Sequence, residues 1–217
     1  MRRSGKVSLA VLALLFLSVP VLLRAQQQPE PKPLRLELTP FIGYRSAVSF
    51  PIESTASNAD VVVVASPAFA LSFGVRLRDY ADLVETRWTR QDSYLNSEQI
   101  TLQPSRERVV IDQFHEDFSH EYLLDEWGEL AKPFVMASIG ATHVSSGANS
   151  FTRFSFGLGG GVRFYASRHV YFKIQAEWLP IVVEPNAAFA CGGGCIVHLS
   201  ATVASQGEIT VGPTFRF

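Results

Sequence analysis

The chain has 217 residues, of which 47% are hydrophobic and 18% are charged, and 16 are phenylalanine. Ordinary soluble domains carry roughly 25% charged residues, so the low charge needs an explanation. The hydrophobic content excludes a disordered chain. A net charge of −1 without Lys/Arg runs excludes a duplex nucleic-acid binder, because neutralising phosphates requires clustered cations.

The amino terminus has the pattern of a secretory signal peptide. Three basic residues precede an apolar run over residues 7–23, and glutamines follow Ala25. We predict a signal peptide at residues 1–25 and a polar, proline-rich lead-in at residues 26–33. An uncleaved anchoring helix is the alternative, because the apolar run is at the short limit for crossing a bilayer.

From residue 34 onward, apolar and polar residues alternate, which is typical of β-strands with two different faces. The alternation is clearest in residues 34–44, 69–78, 154–164, 170–178 and 208–217. Less regular segments at residues 82–91, 109–123 and 133–144 complete a count of eight. Strands of about ten residues suit a tilted crossing of the hydrocarbon layer.

The connections between these strands are predicted to differ in length. Longer loops are expected at residues 45–67, 92–107, 145–152 and 180–204, and tighter turns near residues 79, 127–132 and 167–169. Long loops at one end and short turns at the other are the outer-membrane barrel arrangement. We therefore predict an all-β fold, an eight-stranded antiparallel up-and-down transmembrane β-barrel over residues 34–217, integral to the outer membrane.

A soluble barrel or sandwich would show the same alternation with its apolar faces turned inward. The polar face, however, combines glycine and serine with charged groups, which suits a narrow barrel interior. Aromatic residues expected at strand ends suit interfacial girdles; they are Tyr44, Trp88, Phe164, Trp178 and Phe217. We assign the apolar face, which includes Phe73, Phe156, Ile174 and Phe215, to lipid.

Nine charged residues on the polar face are predicted to point into the lumen. They are Arg35, Glu37, Arg76, Glu85, Arg87, Arg163, Lys173, Glu177 and Glu208. An eight-stranded barrel is just wide enough inside for side chains. We expect ion pairs to fill the bore, because unpaired lumen charges would be costly, and an open porin is not expected.

The chain ends in Pro213-Thr-Phe-Arg-Phe217, which resembles the signal that the outer-membrane insertion machinery recognises. Phe215 and Phe217 are the residues that match it. Residues 38–44 and 157–164 resemble small outer-membrane β-barrel proteins of the OmpA and OmpW types. The resemblance implies outer-membrane lipids as surroundings and the insertion machinery as an assembly partner, and it identifies no surface partner. It indicates the architecture rather than an activity, because this barrel carries unrelated functions.

The segment His115–Glu121 holds three acids and two histidines within a predicted strand. Alternation places His115 and Asp117 on the inner face and Glu116 and His120 on the lipid face. A bulge, or a position near the membrane edge, would reconcile those two polar groups with lipid. His115 and Asp117 form a candidate divalent-metal or proton-responsive site, and an ordinary polar barrel wall is the alternative.

The spacing of His143 and Ser145 is similar to that of outer-membrane lipid A deacylases, in which a serine and a histidine face lipid. Two features differ from that family. Ser146 follows where the family has asparagine, and the next acid is only at Glu177. The alternative is a polar strand end that enters a loop.

Cys191 and Cys195 flank three glycines in the last long loop. In an oxidising exterior they are predicted to form a disulfide, and the glycines allow the tight geometry. The alternative is a metal site with His198, but three ligands fall short of a structural zinc site.

The predicted function is that of a non-enzymatic outer-membrane barrel with a structural, surface-interaction or narrow-passage role. The sequence predicts no catalytic residue, cofactor, metal centre or nucleic-acid partner. Two alternatives are a channel for small solutes or hydrophobic compounds of the OmpW type and a lipid A-modifying esterase that uses His143 and Ser145.

Overall fold

The computed structural model describes residues 35–52, 59–77, 81–96, 107–123, 130–147, 149–182, 188–191, 195–198 and 203–217. The strands in these ranges are β1 Arg35–Arg45, β2 Val48–Ile52, β3 Ala59–Val63, β4 Ser66–Arg76, β5 Asp82–Asn96, β6 Glu107–Glu121, β7 Ala131–Ser146, β8 Asn149–Tyr165, β9 Val170–Val182, β10 Ala188–Cys191, β11 Cys195–His198 and β12 Val203–Arg216. The described residues include no helix long and apolar enough to cross a membrane. The predicted signal peptide and lead-in lie outside the described residues.

Eight of the strands close into a ring. The order is β1, β4, β5, β6, β7, β8, β9 and β12, and β12 pairs with β1 to complete the circle. Every pairing in the ring is antiparallel. Closure leaves the ring without a free edge, which is the condition that a bilayer imposes on a β-sheet. The predicted fold class is confirmed.

The strands are steeply inclined to the barrel axis. Partners traced once round the ring from Glu121 lead back to Ile111, which is ten residues away on the same strand. This offset, with a rise of about 3.3 Å per residue and about 4.8 Å between strands, gives a tilt of about 40°. Each residue therefore advances the chain by about 2.5 Å along the axis.

The two faces of the wall differ in polarity as predicted. On the outside, Phe73 is 51% exposed, Ile174 43% and Phe215 41%, whereas Glu37 and Arg163 on the inside are at most 1% exposed. Since polar groups fill the centre and apolar groups cover the exterior, the apolar face is the lipid face. The assignment made from the sequence is confirmed.

One seam in the ring has fewer backbone pairings than its neighbours. The ladder between β1 and β12 includes Leu38 with Phe215 and resumes at Ile42 with Val211. Between these pairs, the register places Pro40 opposite Pro213, and neither proline has an N–H group to donate. Inside the barrel the hydroxyls of Thr39 and Thr214, 2.8 Å apart, form a hydrogen bond across the gap.

At the end of the barrel where β5 ends and β6 begins, which we call the loop end, the strands are longer than predicted. The opposite end is the turn end. β5 continues to Asn96, and β7 turns directly into β8 at Gly147, where φ is +53°. The loop predicted at residues 145–152 is therefore wrong. Trp88 and Trp178 lie within β5 and β9, not at strand ends.

Two hairpins were not predicted. β2 and β3 pair with each other, and β3 joins β5 through Val62 opposite Asn96. β10 and β11 form a separate two-stranded sheet in which Cys191 lies opposite Cys195 in the backbone register. The side chains of both cysteines and of His198 lie outside the described residues, so the disulfide and its metal alternative remain predictions.

Candidate functional site

The lumen at the turn end is organised around two carboxylates. Glu37 on β1 accepts hydrogen bonds from Arg76 at 2.6 Å, Arg216 at 3.0 Å and the Tyr171 hydroxyl at 2.5 Å. Glu121 on β6 accepts from Arg76, Arg163 and Tyr165 at 2.7–3.1 Å; Lys132 lies 3.6 Å away. Arg76 therefore links the two carboxylates across the bore.

A second charged layer occupies the middle of the lumen. The Arg87 side chain forms ion pairs with Asp117 at 2.9 Å, with Glu177, and with Glu208 at 3.6 Å. Two more ion pairs, Lys173 with Glu85 and Arg45 with Glu208, lie in the same layer. Arg87 lies on β5 and Glu177 on β9, which are on opposite sides of the ring, so the layer connects opposite walls.

A glycine makes room for this layer. A Cβ atom at Gly157 on β8 would overlap the carboxylate of Glu177 and the hydroxyl of Ser138. Ser138 donates a 2.5 Å hydrogen bond to Glu177, which in turn pairs with Arg87. The glycine-rich β8 therefore lets the Ser138 hydroxyl from β7 and the Glu177 carboxylate from β9 meet over its backbone.

A largely apolar layer occupies the lumen at the loop end, and buried Gln91, Ser93 and Gln206 lie beside its apolar members. The apolar members are each at most 2% exposed: Val48, Val63, Leu95, Val109, Ile111, Val144, Leu179 and Ile181. The sequence analysis missed this layer and expected polar filling throughout. The signal was present in β6, where Val109, Val110 and Ile111 are apolar on both faces. The interior therefore consists of two charged layers below a largely apolar one.

The predicted lumen charges are confirmed where their side chains are described. Eight of the nine are at most 5% exposed on the inner face: Glu37, Arg76, Glu85, Arg87, Arg163, Lys173, Glu177 and Glu208. The side chain of Arg35 lies outside the described residues. The structure adds Arg45, Asp117, Glu121 and Arg216 to the ion-pair network. Arg45 was missed because it was assigned to a loop.

His115 and Asp117 point into the lumen, and a third residue joins them. One ligand atom from each of His115, Asp117 and Glu177 lies within 4.8 Å of the others. However, the guanidinium of Arg87 already pairs with both carboxylates, and His115 Nε2 lies 2.7 Å from Ser155 Oγ. An arginine in this position disfavours a second cation, so the cluster is an ion-pair site in this arrangement.

His143 and Ser145 lie on the outer face, away from His115 and Asp117. His143 Nδ1 lies 2.9 Å from the Thr152 hydroxyl, and Ser145 donates a 3.4 Å hydrogen bond to the Val110 carbonyl. The four residues of the predicted polar site are therefore split between the two sides of the wall. His143 and Ser145, whose spacing resembles that of a lipid A deacylase, each form a hydrogen bond with another group and not with each other.

The acid-rich strand is not bulged. β6 pairs with β7 in unbroken register from Val109 to Glu121, so Glu116 and His120 do face outward. His120 lies near the turn end, where its Nδ1 is 2.6 Å from Asp82 Oδ1. Glu116 lies further up the strand and accepts a 2.8 Å hydrogen bond from Thr86. A position near the membrane edge explains His120 but not Glu116.

Comparison with known proteins identifies the fold and nothing finer. No protein-family model and no curated protein sequence matches the chain. Outer membrane protein OprG from Pseudomonas aeruginosa superposes with a TM-score of 0.56 at 9% identity, covering 88% of this chain and 99% of OprG. Neisserial surface protein A gives 0.54 at 12% identity, covering 86% and 100%. Outer membrane protein AlkL gives 0.50 at 11%, covering 89% and 96%.

The chain has the fold of the small eight-stranded outer-membrane β-barrels. Its apolar exterior and closed ring of strands are those of an integral outer-membrane protein. At these identities the likeness extends to the architecture alone.

Proposed function

We propose that this barrel is a closed, non-conducting outer-membrane protein with a structural and surface-interaction role. The observation that supports the proposal is the filling of the lumen: charged networks occupy the turn end and the middle, and a largely apolar layer occupies the loop end. A continuous aqueous path would require each layer to open. An eight-stranded barrel with its interior occupied by side chains leaves little room for solute.

Planar-bilayer conductance tests the closed lumen. The folded barrel inserted in a lipid bilayer should leave the current at baseline over a wide voltage range. An open porin added to the same bilayer serves as the positive control. Stepwise currents that depend on the inserted barrel would overturn the proposal in favour of a narrow-passage role.

The surface role rests on the loop end. The β2–β3 hairpin extends the wall beyond the ring at β5, and β10–β11 forms a second hairpin between β9 and β12. In outer-membrane barrels the longer loops face the cell exterior and the short turns face the periplasm. We infer that these hairpins are displayed at the cell surface, where a partner of unknown identity would meet them.

We further infer that the barrel is not an enzyme. His143 and Ser145 engage Thr152 and a backbone carbonyl rather than each other, although a nucleophile requires its base within hydrogen-bond reach. Lipid A from cells that make the protein should have an unchanged mass spectrum. If lipid A lost an acyl chain in cells that make the wild type but kept it in cells that make His143→Ala, this inference would be overturned and the esterase supported.

The last part of the proposal concerns assembly and two phenylalanine rings on β12 and after it. Phe215 is 41% exposed and Phe217 is 73% exposed at the turn end of β12. We propose that these two rings act as the insertion signal for the barrel-insertion machinery and afterwards contact outer-membrane lipid. Replacing both rings by serine should lower the yield of folded barrel in cells but leave refolding into lipid vesicles nearly unchanged. Equal yields in cells would refute the signal role.

A further inference from the structure

The outer face of β5 and β6 carries three polar pairs where lipid-facing strands are normally apolar. The pairs are register partners, Asp82 with His120, Thr86 with Glu116 and Arg90 with Asp112. Successive pairs are four residues apart along each strand. We call this surface, Asp82–Arg90 together with Asp112–His120, the polar ladder.

The middle pair lies halfway up the membrane belt. At about 2.5 Å of height per residue, the eight residues from Asp82 to Arg90 span about 20 Å, close to the roughly 25 Å belt of such barrels. The outward neighbours of the middle pair in adjacent strands are Phe73, opposite Thr86, and Ile139, opposite Glu116. Both are about half exposed and apolar. Glu116 therefore interrupts an apolar surface near the depth where charge is most costly.

Glu116 has more hydrogen-bonding capacity than its own chain satisfies. Its carboxyl oxygens lie 2.8 and 3.0 Å from the single hydroxyl of Thr86, whereas a carboxylate offers about four acceptor sites. Among the described residues, no other side chain or backbone group forms a hydrogen bond or ion pair with this carboxyl group. Lipid tails supply no donors, so the unmet capacity indicates a polar partner within the membrane.

The arrangement of the ladder specifies that partner. In the upper two pairs β5 carries the donor and β6 the acceptor: Thr86 donates to Glu116, and Arg90 lies 3.8 Å from Asp112. In the lowest pair β5 carries the acid and β6 the histidine. Every pair therefore joins complementary groups on the two strands.

Two copies with the same orientation in a bilayer are related by an axis along the membrane normal. If this axis lies outside the barrel, in front of the seam between β5 and β6, then β5 of one copy faces β6 of the other at nearly the same height. Each polar group then meets its complement in the other copy. Phe114 and Phe118, each 57% exposed, lie between the pairs and supply apolar contact area. We propose that the polar ladder is a self-association surface that joins two copies of this chain.

Subunit counting in vesicles tests the proposal. Fluorescently labelled barrel is reconstituted at high dilution in phosphatidylethanolamine/phosphatidylglycerol vesicles, and photobleaching steps are counted. Wild type should show a dimer population, and Glu116→Leu should weaken dimerisation at least tenfold. Thr152→Val, a polar-to-apolar change on the outer face of β8, is the matched control and should leave it unchanged. Heat-modifiability on gels confirms that each variant is folded.

Exchanging the charges at Arg90 and Asp112 tests whether these residues of the two copies face each other. Arg90→Asp and Asp112→Arg should each lose homodimers, because like charges then face each other. Mixed in the same vesicles, the two variants should form heterodimers, because each charged group of one copy again meets its opposite in the other. A monomeric wild type, an unaffected Glu116→Leu or a mixture that stays monomeric would overturn the proposal.

Discussion

Arg87 Nε lies 2.9 Å from Asp117 Oδ2 at the centre of the barrel, where both side chains are at most 2% exposed. The same guanidinium also pairs with Glu177 and Glu208. One cation from β5 therefore pairs with acids from three other strands, β6, β9 and β12. Removing it would leave Asp117 and Glu177 without their ion-pair partner, whereas Glu208 keeps Arg45.

Arg87→Met should destabilise the folded barrel by about 3–5 kcal/mol, because the loss of one partner of a buried ion pair leaves uncompensated charge. Arg108→Met on β6 is the matched control. Its side chain is 66% exposed and its ion pair with Asp92 lies at the surface, so the expected cost is below about 1 kcal/mol. Urea unfolding in lipid vesicles, followed by tryptophan fluorescence, measures both. Equal costs would show that the central network contributes no more than a surface pair.

Gly140→Ala should destabilise the barrel by about 2 kcal/mol or more, because overpacking forces backbone shifts. A Cβ atom at this position would overlap the Phe114 carbonyl and the His115 ring on β6. Gly207→Ala is the control, because the atom nearest to its new Cβ would be Ser46 Oγ, at an ordinary contact distance of 3.7 Å. The same unfolding assay compares them. A neutral Gly140→Ala would mean that β6 and β7 are further apart than the structure places them.

Thr39 and Thr214 should be energetically coupled across the β1–β12 seam. A double-mutant cycle with Thr39→Val and Thr214→Val is expected to give about 1 kcal/mol, the usual net value of a buried hydrogen bond. Thr210→Val is the control, because the Thr210 hydroxyl is buried and makes no hydrogen bond to the described residues. That change should be neutral or stabilising. Additive effects at Thr39 and Thr214 would argue against the bond.

Cys191 and Cys195 should be oxidised in protein isolated from an oxidising compartment. Thiol labelling of the unfolded chain should then detect no free thiol, and two after reduction. Cys191→Ser should expose one thiol without reduction. Two reactive thiols in the unreduced wild type would contradict the disulfide and reopen the metal alternative with His198.

The faces of the strands were predictable, but their pairing was not. Lys173 and Glu85 both follow the polar face of an alternating segment, so the sequence places each in the lumen. Their ion pair joins residues 88 positions apart. It depends on the ten-residue offset of the ring, which arises only when all eight strands close.

The loop end shows where the sequence signal disappears. Arg45 and Leu95 lie in segments predicted as loops, yet both point inward from strands. Beyond the membrane, the outer face no longer needs to be apolar, so the alternation that marks a strand is lost. The depth of Glu116 in the membrane could not be predicted for a related reason. Alternation shows whether a residue faces lipid or lumen, but only the strand register gives its height along the barrel axis.

The opposed prolines Pro40 and Pro213 have a consequence for how the barrel comes apart. The β1–β12 junction joins strands that are far apart in the sequence, and it has an interrupted set of backbone bonds. The pairing of these two strands therefore relies partly on the hydrogen bond between the threonine side chains. When the barrel is heated or pulled apart, we expect β1 and β12 to separate before the other strand pairs.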